Sequence, residues 1–232
     1  KAVAHMANAL ALSRLLQLAS PLLPVGAYCY SQGLEWAIES GEVTGLASAQ
    51  AWIGDSLHVY QARFELPVLY RLYQAWQTED MLAVHEWDMF YHAGRDTAEG
   101  WAETRQMGYS LRRLLNDLKP MSPELVAKVN TLASPAFPTV YAAIAQHWQI
   151  PPDQMLHGYS WGWLENQASA AMKAVPLGQV AGQTILLALG EKLPQVVEAA
   201  MQLPDDGLSN FNPLLSIAGC QHETQYSRLF RS

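Results

Sequence analysis

The chain has 232 residues, of which 50% are hydrophobic and 15% charged, with a formal net charge of −7. Such apolar content excludes a disordered chain and supports a sizeable core. The acidic balance, a pI of about 5.4 and no basic cluster beyond Arg112–Arg113 argue against a nucleic-acid-binding face. No stretch stays apolar for the roughly 18 residues that a membrane span needs, and no signal-peptide pattern opens the chain. Cys29 and Cys220 make no disulfide framework and fit a reducing, cytoplasmic setting. Residues 1–6, with KAVAH ahead of Met6, read as a remnant and the start. Residues 7–221 are expected to form one domain, and 222–232 a separate tail.

The periodicity is helical nearly throughout, and alternating strand patterns do not recur. Leu12, Leu15, Leu16 and Ala19 share one helix face, which stops before Pro21 and Pro24. Ser31 as N-cap and Gly41 as stop frame a short helix through Leu34 and Ile38. Ser48 to Asp80 reads as helix with a break or kink at Pro67. A further helical region runs from Met81 to Leu118, ending before Pro120. Ser122-Pro123-Glu124 supplies an N-cap, an N1 proline and an acidic first turn. Short helices follow to Gln149, and Pro151-Pro152-Asp153 opens the next, to Lys173. Pro176 is expected at N1 of a helix whose Ile185–Leu189 run is apolar all round, predicting a fully buried element. Pro194 opens another helix, Asp205-Asp206-Gly207 turns the chain, and a last helix begins near Pro213. The expected architecture is an all-α, single-domain bundle of roughly ten helices.

Several chemistries are absent from the sequence. It holds no GxxxxGK[ST] phosphate loop, no GxSxG elbow, no HExxH zinc motif and no CxxC pair. His85 and His92 share a helix face but stand about 10 Å apart along it, too far to chelate one ion. The other histidines are singletons. Arg95, Glu99 and Glu103 recur at i, i+4 and i+8, so Arg95 can pair with Glu99; the row is either a solvated ion-pair ladder or a polar row that orients a neighbour. Trp161, Leu164, Ala168, Ala171 and Val175 make a packing stripe. Lys173, beside it, either snorkels or points to a partner's acidic group. The final stretch HETQYSRLFRS interleaves Tyr226 and Phe230 with Glu223, Arg228 and Arg231, the residue types that anchor interfaces.

Four segments carry a family resemblance. Leu-Pro-Val-Gly at 23–26 leads into Tyr30-Ser31-Gln32-Gly33-Leu34-Glu35. A polar helix bears Arg95, Thr97, Glu99, Glu103, Arg105 and Gly108. Gly158 to Trp161 is followed by Lys173, Pro176, Leu177, Gly178 and Gln179, and the chain ends in HETQYSRLFRS. In this order they resemble the UreF family of urease accessory proteins, from about Leu12 onward. Ala27, Cys29 and Trp101 depart from the usual pattern.

The resemblance implies an all-helical homodimer with no catalysis of its own and no tightly bound cofactor. It implies a complex with UreD (UreH in some systems) and the GTPase UreG on apo-urease, inserting nickel handled by the complex. UreG is expected at Tyr30, Ser31, Glu35, Lys173, Pro176, Gly178 and Gln179. UreD or UreH is expected at His222, Glu223, Tyr226, Arg228, Leu229, Phe230 and Arg231, making the tail a docking peptide. Arg95, Glu99, Glu103 and Arg105 would form a structural polar helix. Alternative readings are a GTPase-activating protein with Arg95, Arg105 or Arg228 as its finger, an all-α enzyme with a small-molecule pocket, and a direct nickel carrier, for which no ligand cluster is found.

Overall fold

The structure, a computed structural model, describes residues 2–118 and 121–232, the side chains of residues 2–7 excepted. The expected stop at Pro120 lies outside the described residues, as do Lys1 and the side chains of the expected remnant. The helices are α1 (Ala2–Ala19), α2 (Leu34–Glu39), α3 (Leu46–Asp55), α4 (Leu66–Gln77), α5 (Met81–Ala93), α6 (Ala98–Asp117), α7 (Pro123–Asn130), α8 (Phe137–His147), α9 (Pro152–Ala174), α10 (Gln179–Gly190), α11 (Leu193–Gln202) and α12 (Pro213–His222). No strand occurs among the described residues, so the all-α, single-domain bundle is observed.

Two helices organise the core. Helix α9 is packed by α1, α2, α10 and α11, while α8 lies between α4 and α6, and α4 touches both groups. The expected stripe on α9 faces inward: Leu164, Ala168, Ala171 and Val175 are buried, and only Trp161 is exposed. Local chemistry sets the helix starts. Asp80, Thr97, Ser122 and Asn212 each accept a backbone N–H of the first turn through their side chains. Gly108 on α6 is a contact point, since a Cβ there would lie 2.1 Å from the carbonyl oxygen of Pro135. Only a glycine lets α6 and the start of α8 approach this closely.

Several expectations are corrected. The helix expected over 48–80 is continuous, but its middle, Ser56–Glu65, is π-helical. Pro67 has no N–H to give the Arg63 carbonyl, which instead accepts from Ser209 N at 3.0 Å. The helix expected over 81–118 is interrupted between Ala93 and Ala98, leaving Arg95 off the α6 row. Pro176 does not open α10, which begins at Gln179. Nor is α10 fully buried: Ile185 and Leu189 are inside, but Val180 is 80% exposed and Leu187 69%. On α1, Leu12 and Leu16 are exposed, and among its described side chains Ala11 and Leu18 are buried. Ser31 caps α2 as expected, accepting Glu35 N at 3.2 Å, although Gly33 is the residue at the helix boundary.

Candidate functional site

The site begins with the approach of two short helices. Gly33 has φ 81°, a left-handed conformation that favours glycine, and a Cβ there would sit 3.0 Å from the Ala218 Cβ. This lets α12 lie against α2 and carries His222, at the last turn of α12, into a fully buried position. There Nδ1 is 2.7 Å from Glu99 Oε2 and Nε2 is 2.9 Å from Glu35 Oε2.

The tail beyond α12 folds back over the same carboxylates. Leu229 N donates to Glu35 Oε1 at 2.6 Å, and Phe230 N to Glu35 Oε2 at 3.1 Å. Arg228 Nη1 donates to Glu99 Oε1 at 2.6 Å. Further along, Arg231 N reaches the Cys29 carbonyl at 2.7 Å, and Ser31 N and Oγ donate to the Ser232 carbonyl at 2.7 and 2.6 Å. Ser232 Oγ donates to Glu103 Oε2 at 3.1 Å, and Gln32 Nε2 donates to Glu103 Oε1 at 2.8 Å. Helix α9 closes the set: Trp163 Nε1 donates to Gln32 Oε1 at 2.8 Å and Asn166 Nδ2 to the Tyr30 carbonyl at 2.9 Å. The Lys173 ammonium stands 6.0 Å from the Tyr28 ring and 5.9 Å from the Phe230 ring. All four segments singled out in the sequence meet here.

Beneath this layer lies a polar hub. Glu65, at the end of the π-helical stretch, accepts from Tyr91 at 2.7 Å, Tyr159 at 2.6 Å and Arg95 at 3.1 Å. Arg95 also donates to Tyr60 and lies 4.2 Å from the centre of the Tyr91 ring. The expected Arg95–Glu99 pair is therefore absent; the interruption after α5 turns Arg95 inward to Glu65. Burial pushes the phenols of Tyr60, Tyr91 and Tyr159 well above their ordinary range, keeping them donors. Burial also lifts Glu103 to about 7, against hydrogen bonds from Gln32 and Ser232. Arg105 donates to Ser134 Oγ at 2.9 Å and lies over Trp101 at 4.1 Å.

A cavity of about 460 Å³ runs beside the hub, its walls including Leu18, Leu23, Met107, Phe137 and Leu186. Glu65, Arg95 and Glu103 line it too. Two of its carboxylates are engaged: Glu65 takes three donors and Glu103 two. That arrangement holds segments together. Among the described residues, no group of three or more His, Cys, Asp or Glu is placed to hold a metal ion.

The expected site residues thus divide by direction. Tyr30, Ser31, Glu35, His222 and Phe230 are buried, engaged within this chain. Lys173, Pro176, Gly178, Gln179, Tyr226, Arg228, Leu229 and Arg231 are exposed, and Glu223 is half-buried, accepting Glu99 N at 3.2 Å. The two expected partner sides adjoin: the tail lies on the Tyr30–Glu35 segment itself. Sequence reasoning passed over Glu65, Tyr91, Trp163 and Asn166, while Tyr159 lay within the quoted Gly158–Trp161 motif. Gln32 stood inside a quoted motif, but Glu65 carried no local signal, since its partners come from residues 91, 95 and 159.

Fold and site together define an all-helical protein whose buried polar groups bind its own segments into one face. A family model described as UreF matches residues 43–190. The urease accessory protein UreF of Methylobacillus flagellatus is 63% identical over 98% of this chain and 100% of its own length. Proteins of the same name from Azoarcus sp. and Dechloromonas aromatica are 55% and 50% identical, over 96% and 98% of this chain and 96% and 100% of their own lengths. The chain belongs to the UreF family.

Proposed function

We propose that this chain is a non-enzymatic urease accessory protein that works as a homodimer. It scaffolds UreD (UreH) and the GTPase UreG on apo-urease and gates nickel delivery to the urease active site. The observation that carries this reading is the convergence of four remote segments on one face closed by the tail. The buried members of that face set its shape, and the exposed Lys173, Tyr226, Leu229 and Arg231 are free to meet partners. Nickel is cargo for the assembly, and this chain supplies no ligand cluster for it among the described residues.

The test is urease activation by nickel in cells lacking their own UreF, supplied with this chain complete or ending at Glu223. Activation by the complete chain and not by the stably folded shorter one supports the reading. Equal activation by both excludes a role for the tail, and activation by neither, with matched soluble partners, excludes the scaffold role.

Stimulation of UreG through an arginine finger finds less support. The Arg95 side chain is 9% exposed and paired to Glu65, and Arg105 is stacked on Trp101. Arg228 is bound to Glu99. UreG turnover with and without this chain decides that question; unchanged turnover is expected.

A further inference from the structure

We propose that the cavity beside the Glu65 hub is a binding site for an uncharged, largely apolar small molecule that carries a hydrogen-bond acceptor. Binding there does not depend on the partners proposed above. Size and access are the first argument. The volume of about 460 Å³ lies within the range of roughly 300–1,000 Å³ typical of small-molecule sites. The lining runs from Pro21, Tyr28 and Gln183, which are exposed, to Tyr91 and Tyr141, each 2% exposed. The space therefore joins the surface to the core. Its walls are mainly apolar, with Met107 from α6, Phe137 from α8 and Leu186 from α10.

Unpaired donors are the second argument. Tyr141 Oη and Arg95 Nε have no hydrogen-bond partner among the described residues, and both side chains line the cavity. The Tyr141 ring is held edge-on by Phe137 and Tyr159, with ring centres 5.7 and 5.1 Å away. Arg95 is held through Nη2 by Glu65 and Tyr60, which leaves Nε over. Burial pushes the Tyr141 phenol well above its ordinary range, so it stays a donor. A buried donor with no acceptor is costly, and a carbonyl or ether oxygen on a ligand supplies the acceptor.

Charge is the third argument. The charged groups lining the cavity are Glu65, Arg95, Glu103 and Glu165. Glu65 and Arg95 offset one another as a pair. An anion would lose its hydration among three carboxylates and an arginine already engaged. An ammonium brings only donors, and the unpaired groups are donors too. An uncharged body with an acceptor oxygen avoids both conflicts.

The experiment titrates the full chain with N-phenyl-1-naphthylamine, an uncharged dye that brightens in apolar surroundings. Saturable binding of one dye per chain is expected. Leu186→Trp, which enlarges the wall, should weaken it about tenfold or more, and Leu187→Glu, on the exposed side of α10, should not. Displacement of the dye by 2-acetylnaphthalene and by 2-ethylnaphthalene then isolates the acceptor, since only the first carries a carbonyl oxygen. Tyr141→Phe should weaken the acetyl compound about threefold to tenfold, the weight of one hydrogen bond, and leave the ethyl compound unchanged. The Tm of this variant should hold or rise, because it buries one unpaired hydroxyl fewer. Absence of saturable binding overturns the proposal. So does binding undiminished in Leu186→Trp, binding lost in Leu187→Glu, an equal effect of Tyr141→Phe on the two naphthalenes, or a lowered Tm in that variant.

Discussion

Glu103 is the residue whose chemistry most directly reaches stability. Buried and holding Gln32 and Ser232, it is raised by burial to about 7. Between the unfolded carboxyl's ordinary range, near 4.3, and 7, the folded chain keeps a proton that the unfolded chain has lost. This contribution to stability is complete below that range, declines as pH rises towards 7 and is flat above it. The loss amounts to about 4 kcal/mol. Denaturant unfolding at pH 5, 6, 7 and 8 should show this decline, and Glu103→Gln should remove it; an unchanged profile in the variant assigns the decline to other groups. Gly108 makes a second, steric prediction. An added methyl meets the Pro135 carbonyl oxygen, which is backbone and cannot swing aside. Gly108→Ala should cost about 1–3 kcal/mol by forcing α6 from the start of α8, seen as a lowered Tm.

At the scale of elements, legibility in the sequence followed the locality of the signal. The helix starts at Ser122, Pro152, Pro194 and Pro213 were readable because caps and prolines act on the next turn. The break after α5 was not. It leaves the spacing of Arg95 and Glu99 intact while removing the helix that would bring them together. Helix α10 shows a different limit. Apolar residues all round predict burial but not by what, and the described residues leave Val180 and Leu187 in the open. An uncovered apolar face is a candidate contact for the homodimer proposed above. Leu187→Glu should leave the Tm within about 0.5 kcal/mol equivalent of the unaltered chain and shift sedimentation from dimer to monomer. A variant that remains dimeric moves the dimer face elsewhere.

For the whole molecule, the sequence made the all-helical class and the unusual tail plain. It did not disclose that the tail's first partners are Glu35, Glu99 and Glu103 of the same chain. Contacts spanning 186 residues between Glu39 and Gln225, or 201 between Ser31 and Ser232, leave no periodicity to read. The spacing of Arg95, Glu99 and Glu103 left open a solvated ion-pair ladder or a row that orients a neighbour; in the fold Glu99 and Glu103 hold the tail. Lys173 tests the assembled face from outside. It is exposed, and its ammonium is near two aromatic rings. Lys173→Ala should leave the Tm unchanged while altering the coupling between GTP hydrolysis and urease activation in a purified system; unaltered coupling removes it from the partner surface.

The Ser31–Ser232 contact has a consequence for the order of synthesis. Ser31 leaves the ribosome early, and the carbonyl it binds belongs to Ser232, 201 residues later. Until those residues emerge, Glu35 lacks the amides of Leu229 and Phe230, and Glu103 lacks the Ser232 hydroxyl. A product cut short before residue 228 would therefore present α2, α6 and α9 without the contacts that close this face.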